Sequence, residues 1–155
     1  MTSPKGPGLK LDDQICFALY AATNAVVRAY RPLLAEVGLT YPQYLVMLAL
    51  WQDGSMAGHD LAKRLQVGPS SVTPLVDRLE AAGFVARART GDRRVVLVAL
   101  TEAGRELEAK VSGAQKSVVC RTGLAERDLA ELRQELKDLT DRVSRQEADP
   151  QEEPL

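Results

Sequence analysis

Two cysteines and one histidine limit the chemistry that this 155-residue sequence can support. Cys16 and Cys120 lie 104 residues apart, and His59 is the only imidazole. That spacing excludes a CxxC zinc site and a thioredoxin-type redox pair, and a single imidazole excludes a zinc hydrolase. Two cysteines are also too few for a disulfide scaffold. We therefore expect no metal site and no bound cofactor, and any cysteine chemistry should be specific to individual sites.

The position of Cys16 favours a reactive thiol. Asp12 or Asp13 is a plausible N-cap of the first predicted helix, which places Cys16 in or just after the first turn. Helix N-termini favour the thiolate, which is the reactive form of cysteine. The carboxylates of Asp12 and Asp13 oppose this effect if they lie near the sulfur. The sequence therefore does not determine whether the surroundings of Cys16 favour the thiolate or the thiol. The alternatives are that Cys16 is a small buried core residue and that Cys120 packs in a subunit interface.

Tyrosine is over-represented among the aromatic residues, with four tyrosines against two phenylalanines and one tryptophan. This excess weakly suggests that the hydroxyl groups are used, because phenol donors can stabilise a thiolate by hydrogen bonding. The alternative is that Tyr20, Tyr30, Tyr41 and Tyr44 are ordinary core residues with satisfied hydroxyls. His59 is interpreted as a surface residue without a site role.

The elements that must position these side chains are mostly helical. A three- and four-residue apolar spacing predicts a helix from about residue 13 that ends near Pro32, followed by a short helix from Pro32 to Gly38. Thr40 or Tyr41 is expected near the cap of the next helix, with Pro42 in its first turn. The nearly continuous apolar run 44–51 predicts that this helix is buried.

A helix-turn-helix is predicted next, because a short amphipathic helix over 57–66 and a helix ending at Gly83 flank a Gly-Pro-Ser-Ser turn. Pro74 is expected in the first turn of the second helix. The runs 84–89 and 94–100 are typical of strands and flank a turn at 90–93, so a hairpin, or wing, follows directly. The polar face of the second helix carries Ser70, Ser71, Thr73, Asp77 and Arg78.

Two long helices are predicted at the C-terminal end, over 102–121 with Thr101 as the cap and over about 125–145. The second has apolar residues at alternating steps of three and four, which is a seam that needs a partner helix: Leu129, Leu132, Leu136, Leu139 and Val143. Residues 1–10 are interpreted as a flexible arm and 146–155 as an acidic tail. No targeting segment and no 18-residue apolar window is visible, so we expect a cytoplasmic protein without a membrane partner.

The charge distribution points to a nucleic acid, although the net charge of the chain is only −1. Seven Lys or Arg against four acids give residues 57–98 a charge of +3, whereas five against ten give residues 126–155 a charge of −5. DNA affinity follows the local contact surface. The hairpin has a dense cluster of arginines, and the alternative is an ordinary solvated hairpin: Arg87, Arg89, Arg93 and Arg94.

Several sequence blocks resemble one known family. The wing residues Asp92-Arg93-Arg94, followed by Leu100-Thr101-Glu102-Ala103-Gly104, are similar to the wing signature of MarR-type winged helix-turn-helix repressors, and the resemblance covers about residues 11–145. A narrower resemblance, to the two-cysteine type of the organic hydroperoxide-sensing branch, is carried by residues 11–20, 30–34, 39–45, 73–75 and 78–80. The wing around Thr90-Gly91 is one residue shorter than the usual form of that branch.

The resemblance implies a mainly α fold with a small β wing, forming a single domain over 11–145. Helices at about 11–31 and 102–145 would form a dimerisation region, and about 40–100 the winged helix-turn-helix. It also implies a non-enzymatic, homodimeric repressor that binds a pseudo-palindromic double-stranded DNA operator. An organic hydroperoxide would oxidise Cys16, and Cys120 would resolve the product.

The resemblance also assigns roles to individual side chains. Tyr30 and Tyr41 of the partner subunit would hydrogen-bond the sulfur of Cys16, with Tyr20 nearby. Asp92 would orient an arginine rather than touch DNA. DNA contacts are expected from the start of the second helix of the helix-turn-helix and from the wing: Ser70, Ser71, Thr73, Arg78, Arg87, Arg89, Arg93 and Arg94.

Two other classes of protein remain open from the sequence. The first is a MarR-type repressor that a small phenolic or other ligand releases from DNA, in which both cysteines are structural. The second is a thiol peroxidase, which normally places its cysteine in a thioredoxin-like β/α framework. The predicted helical pattern lacks that framework.

Overall fold

A computed structural model describes residues 6–92 and 94–147 of the chain. The described residues form two compact units that divide between Val118 and Val119. Within the described ranges, no helix offers a stretch that is long and apolar enough to span a bilayer. Arg93, half of the predicted N-terminal arm and most of the predicted acidic tail lie outside the described residues.

The first helix, α1 (Ile15–Ala35), is longer than the sequence predicts. A break at Pro32 was expected, and this prediction is wrong, because the helix continues through Pro32 to Ala35. Proline removes one backbone hydrogen bond from a helix interior. Leu34 lies one turn beyond Tyr30 on the same face of α1, and its side chain is fully buried. The free energy gained by burying this side chain favours continuation of the helix beyond Pro32. A 3-10 turn, Leu11–Asp13, precedes α1, and the N-cap is Gln14 rather than Asp12 or Asp13.

The second helix, α2 (Tyr41–Asp53), begins as the sequence predicts. Thr40 is the N-cap, and its hydroxyl accepts a hydrogen bond from the Gln43 amide while the Gln43 side chain accepts one from the Thr40 amide. This reciprocal pair is a capping box, and it satisfies the buried side chain of Gln43. Val46, Met47 and Leu50 are essentially inaccessible to solvent, so α2 is the central helix of the core.

Helices α3 (Gly58–Leu65) and α4 (Pro69–Ala81) form the predicted helix-turn-helix. Gln66 ends α3 in the left-handed conformation, with φ of 59°, and turns the chain toward α4. Since α4 begins at Pro69, Pro74 lies in its second turn, and the prediction of a first-turn position is wrong. The missing amide of Pro74 leaves the Ser70 carbonyl without its ordinary helical partner.

The wing is a three-stranded antiparallel sheet in the order β1-β3-β2. The predicted hairpin is confirmed as β2 (Val85–Arg89) and β3 (Val96–Leu100), in a register that pairs Arg87 with Val98. A third strand, β1 (Met56–Ala57), pairs with β3 and was not predicted. Two residues are too few to show an alternating pattern, so only their pairing identifies them as a strand.

A close junction joins the wing to the next helix, α5 (Glu102–Arg121). The Thr101 hydroxyl donates to the Gly83 carbonyl at 2.6 Å and accepts from the Gly104 amide at 3.1 Å, so Thr101 caps α5 as predicted. The Trp51 indole N–H donates to the Gly104 carbonyl at 2.9 Å. One short segment therefore holds α2, the end of α4 and the start of α5 together.

The last helix, α6 (Glu126–Glu147), has the predicted apolar seam along one side. Three of the seam residues are exposed: Leu132, Leu136 and Val143 are 44%, 39% and 56% accessible to solvent. Leu129 and Leu139 are half-buried. An apolar stripe of this kind on a helix with a charged opposite face is typical of a helix that packs against another chain.

Candidate nucleic-acid interface and thiol site

The start of α4 presents hydroxyl groups to solvent. Ser70, Ser71 and Thr73 are all exposed, and Gly68, the N-cap, supplies no side chain to satisfy the first amides of the helix. Uncapped N–H groups and the helix dipole make such an end attractive to phosphate. The arrangement allows these three residues to contact a nucleic-acid backbone or base edges.

One stripe of polar residues extends along α4 from this end. Ser70, Thr73, Asp77 and Glu80 follow steps of three, four and three, so they lie on one face of the helix. The opposite face consists of the buried Val72, Val76 and Leu79. Arg78 is exposed beside this surface, which we call the α4 stripe and define as Ser70, Thr73, Asp77 and Glu80.

Arg87 of β2 is bound to the acidic half of the α4 stripe. Its Nη2 donates to Asp77 Oδ1 at 2.6 Å, and its Nη1 donates to Glu80 Oε1 at 3.1 Å. The Arg87 amide also donates to Glu80 Oε2 at 3.0 Å. The hydrogen bond to Asp77 raises the pKa of the Arg87 guanidinium above its ordinary value. The guanidinium predicted to contact DNA is therefore engaged within the protein by two carboxylates.

The tip of the wing is shaped by Asp92. Its Oδ1 accepts a hydrogen bond from the Arg94 amide at 3.1 Å, and its carbonyl accepts from the Thr90 hydroxyl at 2.9 Å. Asp92 thus orients the backbone at Arg94 through an Asx turn. The side chains of Arg89 and Arg94 are exposed. The predicted contact of Arg93 concerns a residue outside the described part of the chain.

Cys16 is the second residue of α1 and is exposed. Gln14, the N-cap of α1, makes no side-chain hydrogen bond to the amides of the first turn. Tyr20 lies one turn further along α1 and is 67% exposed. The alternative of a buried core cysteine therefore does not describe Cys16 in the single chain.

Three tyrosines form a cluster at the junction of α1 and α2. The ring centroids of Tyr30 lie 5.2 Å from Tyr41 and 5.4 Å from Tyr44, and Tyr44 also contacts Trp51 at 6.5 Å. Burial raises the pKa of all three hydroxyls, most strongly for Tyr30, where the neighbouring Tyr44 and Tyr41 add to the effect. These hydroxyls therefore stay protonated at neutral pH and remain hydrogen-bond donors.

The thiol and the tyrosine cluster do not meet within one chain. Cys16 and Tyr30 are fourteen residues apart on the continuous helix α1, which separates them by about 21 Å at 1.5 Å per residue. Cys120 is also exposed, and its carbonyl accepts the Gly123 amide at the end of α5. Among the described residues, no group of three or more Cys, His, Asp or Glu side chains is placed to hold a metal ion.

Sequence reasoning missed the part played by Glu80, Trp51 and Gly104. The three-residue step from Asp77 to Glu80 was visible as a pair of carboxylates on one helix face, but their common partner Arg87 comes from a strand. Gly104 was noted only as part of a motif. Its role is steric, because an added Cβ would lie 2.1 Å from the Phe84 carbonyl oxygen.

Comparison with known proteins gives consistent matches. The model of the MarR family matches residues 39–96. The chain is 33% identical over 129 residues to the organic hydroperoxide resistance transcriptional regulator of Bacillus subtilis, covering 83% of this chain and 88% of that protein. It is 47% identical over 115 residues to the HTH-type transcriptional regulator TtmR of Methylorubrum extorquens. That match covers 74% of this chain, which spans only 59% of the length of TtmR.

Solved structures share the same fold. Reduced AbfR bound to DNA, a protein of Staphylococcus epidermidis, superposes with a TM-score of 0.70 at 26% identity, covering 86% of this chain and 94% of that chain. BpsR of Bordetella bronchiseptica, described with a mechanism for regulation of its DNA binding by 6-hydroxynicotinic acid, gives a TM-score of 0.77 at 25% identity. That match covers 86% of this chain and 97% of that chain.

Proposed function

Because this chain belongs to the MarR family of DNA-binding transcriptional regulators and is not an enzyme, we propose that it is a homodimeric repressor that an organic hydroperoxide releases from its operator. The observation that carries the proposal is the exposed thiol of Cys16 in the first turn of α1. The name of the Bacillus subtilis relative supports the choice of oxidant.

The sensing reaction proceeds in two steps that involve only thiols and the peroxide. The Cys16 thiolate attacks the terminal oxygen of ROOH, the O–O bond breaks, and the alkoxide takes up a proton and leaves as ROH. Cys16 is then a sulfenic acid. The Cys120 thiolate attacks that sulfur, a disulfide forms, and the hydroxyl leaves as water after protonation.

The second subunit supplies the tyrosines. Since about 21 Å of helix separates Cys16 from Tyr30 within one chain, the cluster can reach the thiol only from another copy. Tyr30 and Tyr41 of the partner subunit then donate hydrogen bonds to the thiolate, with Tyr20 nearby. A protonated phenol is the donor that a thiolate requires, and tyrosine hydroxyls are protonated at neutral pH.

The reduced dimer binds a pseudo-palindromic operator through both helix-turn-helix units. Ser70, Ser71, Thr73 and Arg78 face the major groove, and the recognition helices of the two subunits reach half-sites about 34–36 Å apart. Arg89 and Arg94 of the wing contact the backbone or the minor groove, where negative potential attracts arginine. We extend the same role to Arg93 as a prediction from the sequence.

The seam of α6 supplies the dimer contact that couples oxidation to release. Its exposed Leu132, Leu136 and Val143 need a covering surface, and a second copy presents the same stripe. A disulfide that favours a different arrangement of the dimer shifts the population away from the DNA-competent state. A thousandfold loss of affinity requires only about 4 kcal/mol of difference between the two states.

A DNA-binding titration with and without cumene hydroperoxide tests the proposal. The probe is a duplex of about 30 base pairs selected from a random library by the reduced wild-type protein, long enough for two half-sites. We expect the wild type to lose affinity on oxidation and Cys16→Ser to bind in both conditions. Cys120→Ser should form no intermolecular disulfide on a non-reducing gel. A peroxide response that persists in Cys16→Ser contradicts the assignment of the sensing thiol.

A ligand-responsive repressor is the second candidate function. The likeness to BpsR, whose DNA binding is described as regulated by 6-hydroxynicotinic acid, favours it. In that case a small phenolic or related ligand releases both wild type and Cys16→Ser to the same extent, and peroxide releases neither. The same titration with hydroxylated aromatic acids therefore separates the two candidates.

A further inference from the structure

We propose that Arg87 promotes DNA binding by neutralising Asp77 and Glu80 on the DNA-facing stripe of α4, rather than by contacting phosphate. This inference rests on the proposed DNA contact of the start of α4. It changes the role that the sequence predicts for Arg87 and gives a function to two carboxylates that are otherwise unfavourable in a DNA-binding surface.

Asp77 and Glu80 lie on the face of α4 that is proposed to contact DNA, so their negative charges would oppose binding unless a positive charge offsets them. Asp77 follows Thr73 by one helical turn on the same face, and Glu80 follows Asp77 by three residues. Both carboxylates are solvent-accessible, with side chains 58% and 43% exposed. A DNA duplex that contacts Ser70 and Thr73 therefore brings phosphates toward two negative side chains, and like charges brought together oppose association.

Arg87 forms ion pairs with both carboxylates and so offsets their negative charge. Its two terminal nitrogens hold different carboxylates, Nη2 with Asp77 at 2.6 Å and Nη1 with Glu80 at 3.1 Å, and its side chain is only 30% exposed. The guanidinium is planar and presents several N–H donors in fixed directions, so one arginine can bind two carboxylates at once. Because both terminal nitrogens already have carboxylate partners, a phosphate would have to compete for them.

A small cavity gives an independent indication of the same placement. The cavity, of about 150 Å³, lies between α4 and the wing strands, and both Thr73 and Arg87 line it. Arg87 therefore lies near Thr73 as well as near the two carboxylates. Val96 and Val98 of β3 also line the cavity, and Val98 pairs with Arg87 in the sheet.

A double-mutant cycle distinguishes charge neutralisation from phosphate contact. Affinity for the selected duplex is measured with reduced protein for four forms: wild type, Arg87→Ala, Asp77→Asn/Glu80→Gln, and the triple variant. We expect Arg87→Ala to weaken binding at least about tenfold, or about 1.4 kcal/mol. In the background with neutral amides, the same change should weaken binding less than about threefold, because no carboxylate is left to repel the duplex.

The other outcomes overturn the inference. If Arg87 binds a phosphate directly, its removal gives the same fall in affinity in both backgrounds. If Arg87 only fixes the wing, the triple variant is as weak as Arg87→Ala. Unchanged affinity in Arg87→Ala also refutes the inference. Arg127→Ala is the control, since it removes the same charge from the exposed ion pair with Glu131 on α6. Urea unfolding of each variant reports the stability effect separately.

Two further variants test whether the start of α4 and the wing contact DNA at all. Arg94→Ala removes a proposed wing contact and Ser71→Glu places a carboxylate at the start of α4. If both variants bind the duplex as tightly as the wild type, the proposed face is wrong. If both weaken binding while the weaker binding of Arg87→Ala persists in the neutral background, only the role proposed for Arg87 is wrong.

Discussion

Gly104→Ala and Gly113→Ala are the same substitution on the same helix, and we expect them to change stability in opposite directions. Gly104 is in the first turn of α5, where an added Cβ would lie 2.1 Å from the Phe84 carbonyl oxygen and 3.3 Å from a Leu100 methyl group. At Gly113, in the middle of α5, a Cβ would meet nothing within 4 Å. Any difference between the two variants therefore reports the junction around Gly104.

The expected magnitude follows from the contacts of the junction. An ordinary contact begins at 3.4 Å, so α5 and Phe84 must separate by about 1.3 Å to accept the methyl group. The Phe84 oxygen cannot move freely, because it accepts the Thr101 amide at 3.1 Å, and the Gly104 carbonyl holds the Trp51 indole. Overpacking costs about 1–3 kcal/mol, and a weakened hydrogen bond adds about 1 kcal/mol.

Helix propensity acts in the opposite sense at both positions. Replacing glycine by alanine in a helix gains up to about 1 kcal/mol. Gly113→Ala receives this gain without a steric cost, so it should be more stable than the wild type by about 0.5–1 kcal/mol. Gly104→Ala should be less stable by about 1–3 kcal/mol. For a chain of this size, each kcal/mol moves the Tm by about 2–4 °C.

Urea unfolding of the reduced proteins, followed by circular dichroism, measures both effects. Protein concentration must be the same for all variants, because the stability of an oligomer depends on it. Wild-type or higher stability in Gly104→Ala would refute the steric argument. A loss of stability in Gly113→Ala as large as that in Gly104→Ala would show that α5 itself, and not the junction, is sensitive.

Three further predictions concern the tyrosine cluster, the wing and the seam of α6. Burial raises the pKa of Tyr30, so its hydroxyl stays protonated in the folded protein at pH values where the unfolded chain ionises. The free energy of unfolding is therefore unaffected by Tyr30 below about pH 10, the ordinary tyrosine value, and falls as the pH rises above it. Urea midpoints should therefore fall more steeply above about pH 10 in the wild type than in Tyr30→Phe, whereas Tyr20→Phe, at an exposed position, should follow the wild type. Arg89→Ala and Arg94→Ala should each reduce the slope of log affinity against log salt by about one for every phosphate that the variant no longer neutralises; an unchanged slope with reduced affinity would contradict direct phosphate binding by that arginine. Leu136→Lys should shift the protein toward monomer in sedimentation velocity, and a fully dimeric variant would show that the seam is not the interface.

The sequence was sufficient for elements whose boundaries are encoded locally. The bounds of α5 agree with the prediction because Thr101 is a side-chain cap whose partner is three residues away. The start of α2 was predictable for the same reason, since Thr40 and Gln43 satisfy each other. The fold class follows from these helices and from the two strand-like runs of the hairpin, and it is confirmed.

The remaining features depend on tertiary contacts. Pro32 is locally typical of a helix end, and only the burial of Leu34 explains why α1 continues. Cys16 was placed correctly in a first helical turn, although the capping residue is Gln14 rather than an aspartate. Arg87 was interpreted as part of a basic cluster, because no local pattern shows that a strand residue pairs with carboxylates seven and ten positions earlier.

The hydrogen bond from the Arg87 amide to Glu80 also bears on the solubility of the protein. In the order β1-β3-β2, the β2 strand is at the outer side of the sheet, where unpaired amides offer a template for a strand of another molecule. Glu80 occupies the central amide of that side from within the chain. The hairpin can therefore project toward a ligand without recruiting a foreign strand, and loss of Glu80 would expose the protein to aggregation through its wing.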